Sequence, residues 1–202
     1  MLPSPVDQAE RLISLGVHTY ADLSADELRA TATTCPDGLL VTPAPASQLA
    51  PLLGRGDKPG FVVEDMTDVD AFLPTDASPV PPTSYVITGL DRGDVYANRT
   101  PDECLPEILA AGRSPLTLGE GIHWLLQAPE VLERNHCFMT IGSRLRRANG
   151  SYDARTPALW ISNGTGRDGR ERKDAPKVGW CWWGNRHTWL GMASCATRAP
   201  LG

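Results

Sequence analysis

Polar segments that begin helices alternate with short apolar runs in the first two thirds of the chain. Ser4, followed by a proline and then an acidic residue, predicts a helix that ends at Gly16. A Ser or Thr placed three residues before a Glu forms a capping box, in which both side chains bind backbone N–H groups that a helix start leaves unpaired. Capping boxes are predicted at residues 24–27, 100–103 and 117–120.

Two further helices are predicted to be less regular. Ser47 is expected to cap a short helix that runs through Leu53 and is closed by Gly54. The helix of residues 119–134 contains Pro129, so we expect it to bend or divide there.

Short runs rich in Val, Ile, Leu and aromatic residues predict strands, and these are grouped towards the C-terminus. Helices early and strands late favour an α+β fold with a mainly antiparallel sheet. We expect one domain over residues 1–202, with a possible helical subregion at 1–74 and a proline-rich linker at 75–83. The predicted strands are residues 38–42, 61–64, 85–88, 137–141, 158–162, 178–183 and 187–193.

The last two predicted strands flank Gly184 and Asn185, which fit a two-residue hairpin turn. Because side chains alternate along a strand, this register places three indoles and one imidazole on a common face. Such a face is a plausible ligand wall, and the alternative interpretation is that the tryptophans are core residues. The predicted face consists of Trp180, Trp182, His187 and Trp189.

Composition narrows the class of protein. The apolar fraction of 41% suffices for a sizeable core, and no run of eighteen apolar residues is present. The first residues lack the basic and apolar segments of a signal peptide, so we expect a cytoplasmic protein without a membrane partner. Five widely spaced cysteines without a CxxC pair predict reduced, mostly buried thiols rather than a disulfide framework or a zinc site.

The net charge of −5 is unevenly distributed. Residues 1–100 carry 6 basic and 14 acidic residues, whereas residues 101–202 carry 13 and 10. Much of the positive charge lies in two predicted loops, residues 144–156 and 163–175. These loops are expected to be solvated surface or to contact a protein partner. No nucleic-acid partner is expected, because no binding motif accompanies the charge.

Cys137 is the cysteine with the most candidate chemistry. It follows Asn135 and His136, although adjacent strand residues point to opposite faces, which disfavours activation by His136. His187 from another strand is the better candidate base for Cys137. The spacing of His and Cys residues supports no metal site, and no phosphate-binding glycine loop is present, so no metal or cofactor is predicted.

Several long motifs resemble those of a family of uncharacterised actinobacterial proteins of unknown function. The similarity is strong in the C-terminal half and weak at residues 9–16 and 58–60, and the chain departs from the family by longer loops at 145–156 and 163–175. The resemblance implies no activity, cofactor or catalytic residue. The motifs are RSPLTLGEGI (113–122), NHCF (135–138), PALWIS (157–162), PKVGWCW (176–182) and GNRHTWLG (184–191).

From these patterns we expect a protein, either a binding protein or an enzyme, that holds a small molecule on the tryptophan face. Asn135, His136 and Cys137 would border the ligand, and His187 would supply hydrogen bonding or proton transfer. One alternative is a non-enzymatic interaction module that uses the two basic loops. A third is a cysteine-dependent enzyme with Cys137 and His187. The sequence specifies no oligomeric state.

Overall fold

The computed structural model describes residues 1–201. The predicted helix starts are confirmed: the Ser4 hydroxyl accepts a hydrogen bond from the Asp7 N–H, and complete capping boxes are present at Ser24, Thr100 and Thr117. The helices are α1 (Pro5–Ser14), α2 (Val17–Tyr20), α3 (Ala25–Thr34), α4 (Ala46–Leu49), α5 (Pro101–Ala110) and α6 (Leu118–Gln127).

The predicted cap at Ser47 needs correction, whereas the predicted interruption at Pro129 is confirmed. Ser47 lies inside α4 rather than before it, and its hydroxyl donates to the Asp70 carboxylate instead of capping the helix. Helix α6 ends at Gln127, and a separate 3₁₀ turn follows at Pro129–Val131, so the proline divides the predicted helix rather than bending it. In both places a proline sets the boundary, because its ring fixes φ and removes a hydrogen-bond donor.

The strands form two principal sheets. Strands β1, β6 and β14 make a three-stranded antiparallel sheet, and a five-stranded sheet has the order β12-β8-β10-β11-β4. Only the two outer pairs of the larger sheet, β12 with β8 and β11 with β4, are parallel. The α+β class with mainly antiparallel strands is thus confirmed. Bounds in these sheets are β1 (Leu39–Val41), β4 (Phe61–Val62), β6 (Tyr85–Thr88), β8 (Cys137–Met139), β10 (Arg155–Ile161), β11 (Pro176–Trp182), β12 (Leu190–Met192) and β14 (Thr197–Pro200).

Six shorter strands form three two-stranded ladders beside the principal sheets. They pair β2 with β3, β5 with β9 and β7 with β13. Their bounds are β2 (Gly54–Arg55), β3 (Lys58–Pro59), β5 (Phe72–Pro74), β7 (Ser114–Pro115), β9 (Ser143–Leu145) and β13 (Ser194–Cys195).

The predicted tryptophan-rich hairpin is wrong. Strand β11 pairs with β10 over seven residue pairs, and β12 pairs with β8, so two strands separate the proposed partners. The chain does reverse locally, since the Asn185 N–H donates to the Trp182 carbonyl. After that turn it crosses to the far edge of the sheet. The seven-residue ladder with β10 satisfies more backbone groups than the expected hairpin could, and the loop of residues 163–175 closes it.

Helix α6 contacts both principal sheets and is buried along most of its length. Gly121 lets it approach the larger sheet, because a Cβ there would lie 2.6 Å from the Thr140 methyl group and 2.7 Å from a Leu159 methyl group. Trp124 packs on Phe138 with ring centroids 5.5 Å apart. One apolar cluster joins these side chains with buried residues of α1 and α3.

The glutamate of the α6 capping box also forms a buried ion pair. Glu120 is fully buried, and its carboxylate accepts hydrogen bonds from the Arg198 guanidinium on β14 and from the Thr117 N–H. The Tyr85 hydroxyl on β6 donates to the same carboxylate over 3.2 Å. Burial raises the pKa of Tyr85, so the phenol remains a donor. This cluster attaches the helix start to two strands of the smaller sheet.

His123, one turn further along α6, is neutral in the folded protein. Its Nδ1 lies 2.8 Å from the Gly119 carbonyl, and its Nε2 accepts from the Thr42 N–H at 3.2 Å. These contacts assign the proton to Nδ1. Complete burial lowers the pKa of His123 to about 4.

Replacing Arg198 by Met is expected to destabilise the fold by about 3–5 kcal/mol, because it leaves the Glu120 carboxylate buried without a counter-ion. Adding Glu120→Gln to that variant should restore part of the loss. Urea unfolding of both single variants and the double variant measures the coupling. If the double variant lost as much unfolding free energy as the two single variants together, the result would contradict a buried ion pair.

The stability of the wild-type protein should fall as the pH decreases below 6.5, since His123 has a lower pKa folded than unfolded and its neutral form stabilises the fold above that pH. By pH 4 the loss due to this group is about 3 kcal/mol. His123→Gln lacks the titrating group and can keep an amide contact with Thr42. The difference in unfolding free energy between the two proteins should therefore narrow with acidification, and a constant difference would contradict a neutral buried His123.

Candidate functional site

An open cleft of about 290 Å³ lies beside the first residue of β8 and the last residues of β10. Two indoles, Trp160 and Trp189, form its apolar part and meet edge to face with centroids 6.1 Å apart. The thiols of Cys137 and Cys181 also line it. Alternation along the paired strands puts Cys181 and Trp160 on the same face of the sheet. This face is opposite to the one that contacts α6.

Trp160 is held in place by a glycine on the neighbouring strand. Its indole lies over Gly179, and a Cβ at that position would be 2.5 Å from Cη2 of the ring. Residues 158 and 179 are directly paired, so the indole leans along the sheet from its own strand onto β11. Only glycine leaves room for this arrangement.

Polar groups form the rim of the cleft. The Arg134 guanidinium donates to the Asn163 side-chain oxygen at 3.1 Å and to the Asp174 carboxylate. Asn135 lies beside it with φ +64°, a conformation that asparagine tolerates better than most residues. Asn135 and Arg134 form the tip of a tight turn, in which Glu133 and His136 exchange backbone hydrogen bonds of 3.2 and 3.1 Å. The rim therefore combines amide groups with a neutralised cation.

The two thiols are protonated at neutral pH. Burial raises the pKa of Cys137 and raises that of Cys181 to about 12. The Cys137 thiol donates to the Glu133 carbonyl at 3.3 Å. Both side chains act as soft apolar lining in this state, which disfavours a nucleophilic role for Cys137.

The cleft brings together three of the residues predicted from the sequence: Asn135, Cys137 and Trp189. His187 is not among the residues that line the cavity. Its ring meets that of Trp189 edge to face with centroids 5.4 Å apart, and burial lowers the pKa of His187. The His136 side chain is exposed, while its backbone belongs to the turn. The role of each as a ligand-binding or catalytic residue stays a prediction.

Trp180 and Trp182 lie elsewhere, which corrects the predicted common face. They contact each other with centroids 4.6 Å apart on the opposite side of β11 from Cys181, and the Trp180 Nε1 donates to Asp65. The cause is the pairing of β11 with β10, which separates these indoles from Trp189. Five cleft residues were not predicted from the sequence: Arg134, Trp160, Ile161, Asn163 and Cys181. The available signal was that Trp160, Ile161 and Cys181 lie in predicted apolar strands.

Most residues of the two predicted basic loops are exposed, as expected, but several of their arginines are engaged within the fold. Arg144 belongs to β9, is only 7% exposed, and stacks over the Trp183 ring at 3.9 Å. Arg155 belongs to β10 and binds Asp68. In the second loop, Arg167 binds Asp65. Ion pairs and stacking thus occupy several of these cations.

Two larger cavities, of about 410 and 440 Å³, are present. The first lies beside Trp124 and Met1, and the second is bordered by five prolines. The polar side chains that border the second cavity are engaged within the fold, as Tyr85 is with Glu120 and Thr42 is with His123. The indole cleft, in contrast, has polar groups with free hydrogen-bonding capacity.

Residues 11–201 match the pattern described as a family of unknown function, DUF5701. The chain belongs to this family. No curated protein and no solved structure matches it. Among residues 1–201, no group of three or more His, Cys, Asp or Glu side chains could hold a metal ion, and no helix there is long and apolar enough to cross a membrane.

In this DUF5701 chain, the four sequence segments NHCF, PALWIS, PKVGWCW and GNRHTWLG converge on one cavity. NHCF contributes Asn135 and Cys137, and PALWIS contributes Trp160. PKVGWCW contributes Cys181, and GNRHTWLG contributes Trp189. Segments far apart along the chain therefore supply the walls of the indole cleft.

Gly179→Ala should displace the Trp160 indole and destabilise the protein by about 1–3 kcal/mol, because the added methyl group overlaps the ring. The measurements are urea unfolding and the NMR shift of the Trp160 indole N–H. Gly184→Ala is the matched control, since a Cβ there meets open space. Equal effects of the two substitutions would contradict the packing of Trp160 on Gly179.

Proposed function

We propose that this protein binds a small planar molecule in the indole cleft. The observation that carries the proposal is the convergence of Trp160, Trp189 and three hydrogen-bonding side chains on one open cavity. Ligand sites typically combine apolar walls with a few placed polar groups. The proposed site lies away from the tryptophan face predicted from the sequence, but the proposed class of function is still small-molecule binding.

The dimensions of the cleft limit the ligand to one or two rings. Its volume of about 290 Å³ lies at the low end of small-molecule pockets. Because Trp160 and Trp189 touch edge to face, a ligand would pack against their outer surfaces and extend the aromatic cluster. The thiols of Cys137 and Cys181 would contact its flat face as polarizable apolar groups.

One observation favours the rival hypothesis of a protein-interaction module. Trp182 is 46% exposed and pairs with Trp180 outside the cleft, and large exposed aromatic groups are common at protein interfaces. Loops 144–156 and 163–175 border the same strands and would contribute the polar rim of such an interface. The cytoplasmic location and the actinobacterial origin expected from the sequence stay predictions.

The proposal is tested by NMR titration of the six indole N–H signals with naphthalene and other one- and two-ring aromatic compounds. Binding should shift the Trp160 and Trp189 signals, because ring currents act on neighbouring protons. Trp160→Phe and Trp189→Phe should each weaken binding several-fold, by roughly the 0.5–1.5 kcal/mol of an aromatic pair.

Trp182→Phe is the matched control, since it removes an indole that lies outside the cleft. It should leave the affinity unchanged. The proposal fails when no compound shifts the Trp160 and Trp189 signals, or when Trp182→Phe weakens binding as much as the cleft substitutions do.

A further inference from the structure

We infer that the ligand of the indole cleft is a planar aromatic amide or lactam, whose N–H donates to the backbone carbonyl of Ile161. This inference rests on the proposed function and specifies the chemistry of the ligand. It depends on the hydrogen-bond pattern at the place where the larger sheet ends.

Ile161 lines the cleft through its backbone. The residue is 4% exposed, and its side chain alternates with that of the cleft residue Trp160, so it points to the opposite, buried face. The atoms of Ile161 that border the cavity are therefore the peptide groups at the end of β10.

The ladder with β11 fixes the direction of these peptide groups. The Ser162 N–H donates to the Ala175 carbonyl, and the Trp183 N–H donates to the Ala154 carbonyl. Hydrogen-bonded pairs recur at every second position of an antiparallel ladder. Ile161 lies between such positions, so its N–H and carbonyl point away from β11 and towards the side of β8.

Strand β8 begins at Cys137, one residue after the position opposite Ile161. Its pairing with β10 covers Met139 and Phe138, and the next hydrogen-bonded partner in sequence would be His136. That residue instead exchanges backbone hydrogen bonds with Glu133 in the tight turn. The Ile161 carbonyl, which points to the side of β8, is therefore left at the edge of the cleft without a donor from that strand. A ligand N–H would complete the interrupted ladder.

The charge of the rim favours a neutral ligand over an anion. The Asp174 carboxylate neutralises Arg134, whose remaining N–H groups are suited to a carbonyl oxygen of the ligand. A carboxylate ligand would face both Asp174 and the Ile161 carbonyl, and it has no hydrogen to donate. An amide or lactam presents a donor and an acceptor side by side, which matches the Ile161 carbonyl and the Arg134 guanidinium.

Four bicyclic probes of similar size test this specificity by NMR titration of the intact protein. Isoquinolin-1-one is the lactam, and isocoumarin is the matched lactone without the N–H. The third probe, 1-naphthoate, is anionic, and naphthalene is the hydrocarbon. We expect isoquinolin-1-one to bind about tenfold more tightly than isocoumarin, the effect of one hydrogen bond in a partly buried site. The affinity for isoquinolin-1-one should also exceed that for 1-naphthoate by at least tenfold.

Asp174→Asn provides a second, independent readout. This exposed substitution frees the Arg134 guanidinium, so the affinity for 1-naphthoate should rise roughly threefold or more while that for naphthalene stays constant. Equal affinities of lactam and lactone would overturn the inference, as would tighter binding of 1-naphthoate to the unmodified protein. In both cases the cleft still binds aromatic compounds, whereas failure of the proposed function leaves all four probes without effect on Trp160 and Trp189.

Discussion

The antiparallel ladder between β10 and β11 is the constraint on which the rest of the larger sheet depends. Its seven residue pairs determine which side chains share a face: Trp160 and Cys181 border the cleft, whereas Trp180 and Trp182 lie on the other side. The same ladder sets the direction of each peptide group. The apolar wall of the cleft and its free carbonyl at Ile161 are two consequences of one register.

Helix α6 explains why only one face of this sheet is available for a ligand. Gly121 and Trp124 pack on the strands from one side, and the Glu120–Arg198 ion pair holds the start of the helix against the smaller sheet. The helix is therefore fixed between the two sheets. The indole cleft lies on the opposite face, where the short strand β8 leaves the end of β10 uncovered.

Features determined by neighbouring residues could be predicted from the sequence, and features determined by distant ones could not. The capping boxes at Ser24, Thr100 and Thr117 depend on contacts within four residues, and they were predicted correctly. The partner of β11 depends on competition between strands far apart in sequence, so the hairpin was wrong. Asn135, Cys137 and Trp189 were identified by residue type. The backbone carbonyl of Ile161 carries no such signal, because every residue has one.

The most direct test of this account is a crystal structure of the protein soaked with isoquinolin-1-one. We expect electron density for the bicyclic ring against Trp160 and Trp189, with the lactam nitrogen within hydrogen-bonding distance of the Ile161 carbonyl. A ring bound in the cavity beside Trp124, or an indole cleft that remains empty at saturating concentration, would contradict it.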